Sequence, residues 1–147
     1  MALSSRSVFP IRIATYSEKF IPDFQKAIDN NLLIIDTRKK EQVAKGYVPN
    51  SLHIENGKLL STWVGSLVGY QQQIVLITDE SHTEDLTRKL MRIGMDNIYG
   101  FVIDLDKMNV TLEKSDLVST EELKKHLGKK DVQIIDVQLI NMMIESF

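Results

Sequence analysis

No cysteine occurs in the sequence. Its absence excludes disulfides, thiolate metal sites and a cysteine nucleophile within this chain, so any chemistry must come from other groups. Charge of one sign is missing too: 18 Lys+Arg stand against 20 Asp+Glu, a formal net charge of −2. That balance provides no basic field to recruit nucleic acid or an anionic membrane surface. No apolar run approaches the roughly 20 residues that a membrane-spanning helix needs, and the opening MALSSRSVFP lacks the apolar core of a signal peptide. The expectation is a soluble, cytoplasmic chain with neither a nucleic-acid nor a membrane partner. Histidine is sparse as well. His53, His82 and His126 are scattered, without H-x-H or H-E-x-x-H spacing, so no metal cluster and no cofactor is expected. His53 falls in a strand pattern, and His126 lies near a helix end, where a cation complements the helix dipole.

What is present is a regular alternation. At 147 residues the chain can form one domain with a full core and part of another. Short apolar runs of strand length recur at residues 11–14 (IRIA), 32–36 (LLIID), 51–54 (SLHI), 74–78 (IVLIT) and 97–102 (NIYGFV). Helical spacing lies between them. Phe20, Ile21, Phe24 and Ile28 predict a helix from Ser17 to Ile28, and Lys39 to Lys45 predicts a shorter one stopped by Gly46 and Pro49. A third helix is predicted from Leu59 to Val68, apolar at Leu59, Leu60, Trp63, Val64 and Leu67. The clearest runs from Thr83 to Ile93, with Leu86, Leu90 and Ile93 on one face and Gly94 at the left-handed terminating position. Ser81 and Glu84 have the spacing of a capping box at its start.

Strands apolar on both faces, alternating with helices, predict an α/β fold whose mostly parallel sheet is covered on both sides. Ligands on such sheets bind beyond the C-terminal strand ends. The loops after Asp36, Ile54 and Thr78 are therefore the candidate functional surface. The two ends of the chain also resemble each other: TYSEKFIPDFQKAIDNNLLIIDTR and VSTEELKKHLGKKDVQIIDVQ share a hydroxyl-led helix, a polar turn and the strand signature IID, with Asp36 and Asp136 a domain length apart. The predicted organisation is an N-terminal extension over residues 1–9, a domain over 10–110, and over 111–147 a linker with the truncated start of a second domain.

The stretch IIDTRKKEQVAKGYVPNSLHI resembles the first signature of rhodanese-like domains: an aspartate, one residue, an arginine, a glutamate three on, and then a Gly-x-Ile-Pro-type turn. Asp36, Arg38, Glu41, Gly46, Val48 and Pro49 fall in register with it. IVLITDESHTEDLTRKLMRIGMDNIYGFV resembles the family's active-site strand, the helix after it and the strand beyond. The resemblance covers about residues 10–104 and implies a five-stranded rhodanese-like sheet, with Asp36 and Arg38 as scaffold residues. More narrowly, STWVGSLVGYQQQIVLITDE and RIGMDNIYGFV resemble the cysteine-less middle domain of metallo-β-lactamase/rhodanese fusion proteins, among them persulfide dioxygenase–sulfurtransferases. That likeness implies a parent protein of sulfur metabolism whose other domains are this module's partners.

A catalytic rhodanese places a cysteine at the end of the fourth strand, within a loop whose backbone N–H groups cradle an anion. In register, that position is Thr78, followed by Asp79, Glu80, Ser81, His82 and Thr83. This loop has no glycine to let backbone close around an anion and no arginine to pair with one. Asp79, Glu80, Glu84 and Asp85 would repel an anionic donor, and a Ser81–Glu84 capping box would occupy the helix start itself. The expected function is a non-catalytic rhodanese-like module that positions catalytic domains or mediates association. The alternative is a small hydrolase or transferase in which Thr78 is activated by His82, with Asp79 or Asp85 orienting the ring. The acidic cluster also has the chemistry to chelate a hard cation, although acids in a first helical turn are favoured by the dipole alone. Asp36 is expected to cap the helix near Lys39, and Arg38 to pair with Glu41 or another acid. At the far end, Gln138 stands where the second copy would carry an arginine. The apolar VQIIDVQLINMMI must bury its surface against something, so residues 117–147 are expected either to dock on the first domain or to be exchanged between chains in a homo-oligomer.

Overall fold

The structure is a computed structural model, and it describes residues 20, 21 and 23–135. Among the described residues four parallel strands form the sheet: β1 (Leu33–Asp36), β2 (Leu52–His53), β3 (Ile74–Ile77) and β4 (Ile98–Val102), in the order β2-β1-β3-β4. The strand predicted at 11–14 lies outside the described residues. Beside the outer edge of β4, Phe20 makes a parallel bridge to Phe101, and the Ile21 N–H donates to the Phe101 carbonyl at 3.2 Å. Phe20 and Ile21 thus lie along the edge where a fifth strand would pair.

Side chains of successive strand residues point to opposite faces, and both faces here are apolar. Ile35, Leu76 and Phe101 pack with Leu60 and Val64 of α3 (Leu60–Leu67) and with Leu86 and Leu90 of α4 (Thr83–Arg92). On the other face Ile34, Val75, Ile77 and Val102 pack with Phe24 and Ala27 of α1 (Phe24–Asp29) and with Val48 and Leu105. This double covering is what makes the strands read as continuous apolar runs.

The helices follow their local signals with two exceptions. The first helix starts at Phe24, later than the apolar spacing predicts. Asp23 is its N-cap, its carboxylate accepting from the Lys26 N–H at 3.1 Å. Pro22 explains the delay, because its ring disfavours helical backbone at the preceding Ile21. α2 (Lys40–Lys45) ends at Gly46. α4 ends as predicted: Gly94 has φ +78°, its N–H donates to the Met91 carbonyl and the Met95 N–H to the Leu90 carbonyl, which is a Schellman motif.

The second exception is the start of α4. Residues Glu80–His82 form a 3₁₀ turn leading directly into the helix, and no side chain caps its first turn. Ser81 is therefore already inside helical geometry, whereas an N-cap needs extended backbone. Glu84 pairs with Arg88 instead, and the Thr83 hydroxyl donates to the Glu80 carbonyl at 2.9 Å. The capping box does not form.

By its internal contacts the chain divides into two units, Met1–Ser115 and Asp116–Phe147. In the second, α5 (Thr120–His126) carries a true capping box, with the Ser119 N–H donating to Glu122 at 3.0 Å and the Glu122 N–H to the Ser119 hydroxyl at 3.3 Å. Ile134 and Ile135 of the predicted IID strand are not in a strand, and Asp136 and Gln138 lie outside the described residues. A lone strand has no partner for its backbone groups.

Candidate functional site

In this strand order the chain reverses direction across the sheet between β1 and β3. The crevice beyond their C-terminal ends is where open α/β sheets place ligands. The loops after Asp36, Ile54 and Thr78 do converge at this end. The Ile54 N–H donates to the Asp36 carbonyl at 3.0 Å, and the Asn56 N–H to the Thr37 carbonyl at 3.0 Å.

Asp36 and Arg38 occupy the floor of the first loop in an unanticipated way. Asp36 is fully buried, and Arg38 holds it with two arms, Nε at 2.9 Å from Oδ1 and Nη2 at 2.7 Å from Oδ2. The Arg38 N–H also donates to Asp36 Oδ1 at 3.1 Å. Asp36 therefore shapes its own turn rather than capping α2, where Gln42 Oε1 accepts the Lys39 N–H at 3.2 Å. Arg38 pairs with Asp36, while Glu41 stays exposed. The guanidinium spends a further N–H on the Gly46 carbonyl at 2.8 Å. Gly46 sits close under Leu112: an added Cβ would stand 3.2 Å from Leu112 Cδ1, so that side chain would have to give by a few tenths of an ångström. Next to Gly46, Tyr47 and Glu113 are joined by paired backbone bonds at 2.9 Å, and the Tyr47 hydroxyl donates to Glu113 at 3.1 Å. The hydrogen bond to Glu113 raises the Tyr47 pKa. Val48 is core, and Pro49 is half-buried at the turn.

Thr37, absent from the sequence-based site, closes the crevice. Its N–H and its hydroxyl both donate to the Ile77 carbonyl at 2.9 Å, tying the end of β1 to the end of β3. A threonine beside an aspartate gave no signal of this, because the bond spans 40 residues. Next to it Thr78 is buried, with its N–H donating to the Val102 carbonyl at 3.0 Å.

Beyond Thr78 the acids disperse. Asp79 lies 3.6 Å from His82 Nδ1, both side chains about half exposed. Among the described residues no hydrogen bond joins Thr78 to His82. Glu80 and Ser81 are exposed, while Thr83 is buried. Asp85 pairs with Lys89 Nζ at 2.7 Å, one helical turn on. The bond from Lys89 lowers the Asp85 pKa, assisted by the ammonium charge. Among the described residues no group of three His, Asp or Glu side chains is placed to hold a metal ion, nor is any helix long and apolar enough to cross a membrane.

The second loop joins this network. Lys89 Nζ also donates to Asn56 Oδ1 at 2.8 Å. The His53 ring, exposed on β2, donates from Nε2 to the Arg38 carbonyl at 2.9 Å. His126 ends α5 on its surface. Beside the second loop lies an open groove of about 740 Å³, whose lining includes Leu52, His53, Asn56, Leu59, Trp63 and Leu67. Helix α3 therefore has two apolar stripes: Leu60 and Val64 are buried, whereas Leu59, Trp63 and Leu67 are exposed. The spacing held this signal, because two adjacent stripes exceed what one core contact can cover.

The parallel order, the crevice at its reversal point and the Asp36–Arg38–Gly46 turn define a single-sheet α/β domain of the type that carries a site on the loop after its central strand. Residues 21–103 match the family described as Rhodanese-like domain, and the chain belongs to that family. A search of curated proteins finds no match. Among solved structures, the chain is similar to a metallo-β-lactamase from Staphylococcus aureus subsp. aureus COL, at 32% identity and a TM-score of 0.46. The match covers 48% of this chain and 21% of that one. The chain thus spans about a fifth of that protein's length.

Proposed function

We propose that this rhodanese-like domain is non-catalytic and serves, in the cytoplasm, to position catalytic domains of a larger metallo-β-lactamase-fold/rhodanese protein of persulfide or thiosulfate metabolism. One observation carries the reading. Where the family's nucleophile would stand there is a buried threonine, and the loop beyond it winds straight into helix, presenting exposed acids instead of a ring of backbone donors. A persulfide and its anionic donor need N–H groups and cations converging on one point. Here the cations near that point, Arg38 and Lys89, are engaged by Asp36 and Asp85. The link to sulfur metabolism rests on the sequence resemblance set out above.

The test is cyanide-dependent thiosulfate consumption by the purified chain and by a Thr78→Cys variant. Neither is expected to turn over, because restoring the sulfur does not restore the cradle. Turnover by the wild-type chain that vanishes on Thr78→Ala would overturn the reading in favour of a hydrolase or transferase using Thr78 and His82.

A second observation favours association. In the unit from Asp116 onward, Leu117, Val118, Leu127 and Ile135 are exposed, and none of its described residues is buried. We propose that residues 117–147 mediate homo-oligomer formation. Light scattering on the eluting chain is expected to give a mass above the monomer, and a variant ending at Ser115 is expected to be monomeric.

A further inference from the structure

Asn56 and Gly57 form the sequence's sole Asn-Gly pair, and the structure sets them in a bend between β2 and α3. Three features of this bend bear on the chemistry of an asparagine side chain. The Gly57 nitrogen follows the amide directly and makes no hydrogen bond among the described residues. Gly57 is exposed, and beyond its chain neighbours a Cβ added there would meet only the Glu55 carbonyl oxygen, at 3.9 Å, so the bend is uncrowded at this residue. Lastly, Lys89 Nζ donates to Asn56 Oδ1 at 2.8 Å, placing an ammonium on the amide oxygen.

We propose that Asn56 is a site of spontaneous covalent modification, deamidating through a succinimide closed by the Gly57 nitrogen, with Lys89 stabilising the charge that develops on Oδ1. The Gly57 N–H gives its proton to solvent base, and the nitrogen bonds to Asn56 Cγ. As that bond forms, the carbonyl electron pair moves onto Oδ1, where the Lys89 ammonium receives it in the way an oxyanion-hole donor does. The Oδ1 electron pair then re-forms the carbonyl, the Cγ–Nδ2 bond breaks, and the nitrogen takes a proton from solvent and departs as ammonia. Water, the one co-reactant, opens the ring at either carbonyl. Attack at Cγ leaves aspartate in a normal backbone, whereas attack at the residue's own main-chain carbonyl leaves isoaspartate, with an extra carbon in the main chain. No atom changes oxidation state overall.

The product alters the neighbourhood in two ways. A carboxylate replaces the neutral amide beside Lys89, which then faces two acids, the other being Asp85. In the isoaspartate form, the loop that enters α3 lengthens along the rim of the groove shared by His53 and Trp63.

The experiment follows the full-length chain over time at neutral pH. Trypsin releases residues 46–58 as one peptide, in which Asn50 is an internal control, and mass spectrometry with isoaspartyl methylation reads each position. Asn56 is expected to convert while Asn50 does not. Lys89→Met is expected to slow conversion at Asn56 about fivefold, and Lys89→Arg to retain most of the rate because it keeps a charged donor. In urea, where the contact is lost, the Met variant and the wild type are expected to converge. An Asn56 that stays intact in the folded chain would overturn the proposal. So would a folded Met variant that converts as fast as the wild type or faster.

Discussion

Asp36 and Arg38 stand two residues apart, and the guanidinium closes on the fully buried carboxylate with two arms while its Nη2 also holds the Gly46 carbonyl. One side chain thus ties the end of β1 to the end of α2. Removing it strands a charge where water cannot reach. Arg38→Ala is expected to destabilise the first unit by about 3 kcal/mol, the usual result of breaking a buried pair from one side. Arg38→Lys should recover only part of this, since an ammonium cannot reproduce a planar fork. Urea denaturation followed by circular dichroism measures both.

Thr37→Val keeps the shape of the side chain and removes the hydroxyl bond to the Ile77 carbonyl. That carbonyl still receives the Thr37 N–H, so the expected cost is about 1 kcal/mol. A loss several times larger in the same denaturation experiment would mean that the hydroxyl supports more than this one bond.

Gly94 adopts φ +78° to end α4. An alanine there meets the left-handed penalty of an L residue, and Gly94→Ala is expected to cost about 1 kcal/mol. Gly57, whose φ is not in that range and whose surroundings are open, should accept alanine with a smaller loss of stability.

Acid should act on α4 through Asp85. Its hydrogen bond from Lys89 lowers its pKa beneath the ordinary 3.8. A depressed carboxylate contributes stability that is present above the unfolded value and is lost as pH falls through the folded one. The contribution is therefore complete at neutral pH and disappears only below about pH 4. In Lys89→Met, an NMR titration is expected to find the Asp85 carboxyl shifted upward toward its ordinary value.

Much of the architecture was legible because periodicity reflects burial. The strands at β1, β3 and β4 show as apolar runs since helices cover both faces, and α4 shows as a single stripe ending in glycine. The resemblance to rhodanese-like domains likewise placed Asp36, Arg38 and Gly46 on a common scaffold. What periodicity could not show is where a side chain turns. Asp36 and Arg38 looked like separate helix-start residues because two-residue spacing brings side chains together only in a particular turn, whose geometry the sequence does not display. The Ser81–Glu84 pair had the right letters, but a 3₁₀ turn had already taken up the backbone they needed. Pro22 was a readable stop signal that the apolar spacing around it masked. Lys89 reaching Asn56, and Thr37 reaching Ile77, depend on the folded arrangement of distant loops.

Trp63 is the only tryptophan in the sequence, and it stands half-exposed on the groove face of α3. The protein's tryptophan fluorescence, excited where tyrosine does not absorb, therefore arises from one place, and its emission colour reports how wet that place is. A domain or peptide that covers the groove would shift the emission to the blue, whereas one that docks elsewhere would leave the spectrum alone. The protein needs no attached dye to reveal which face a partner chooses.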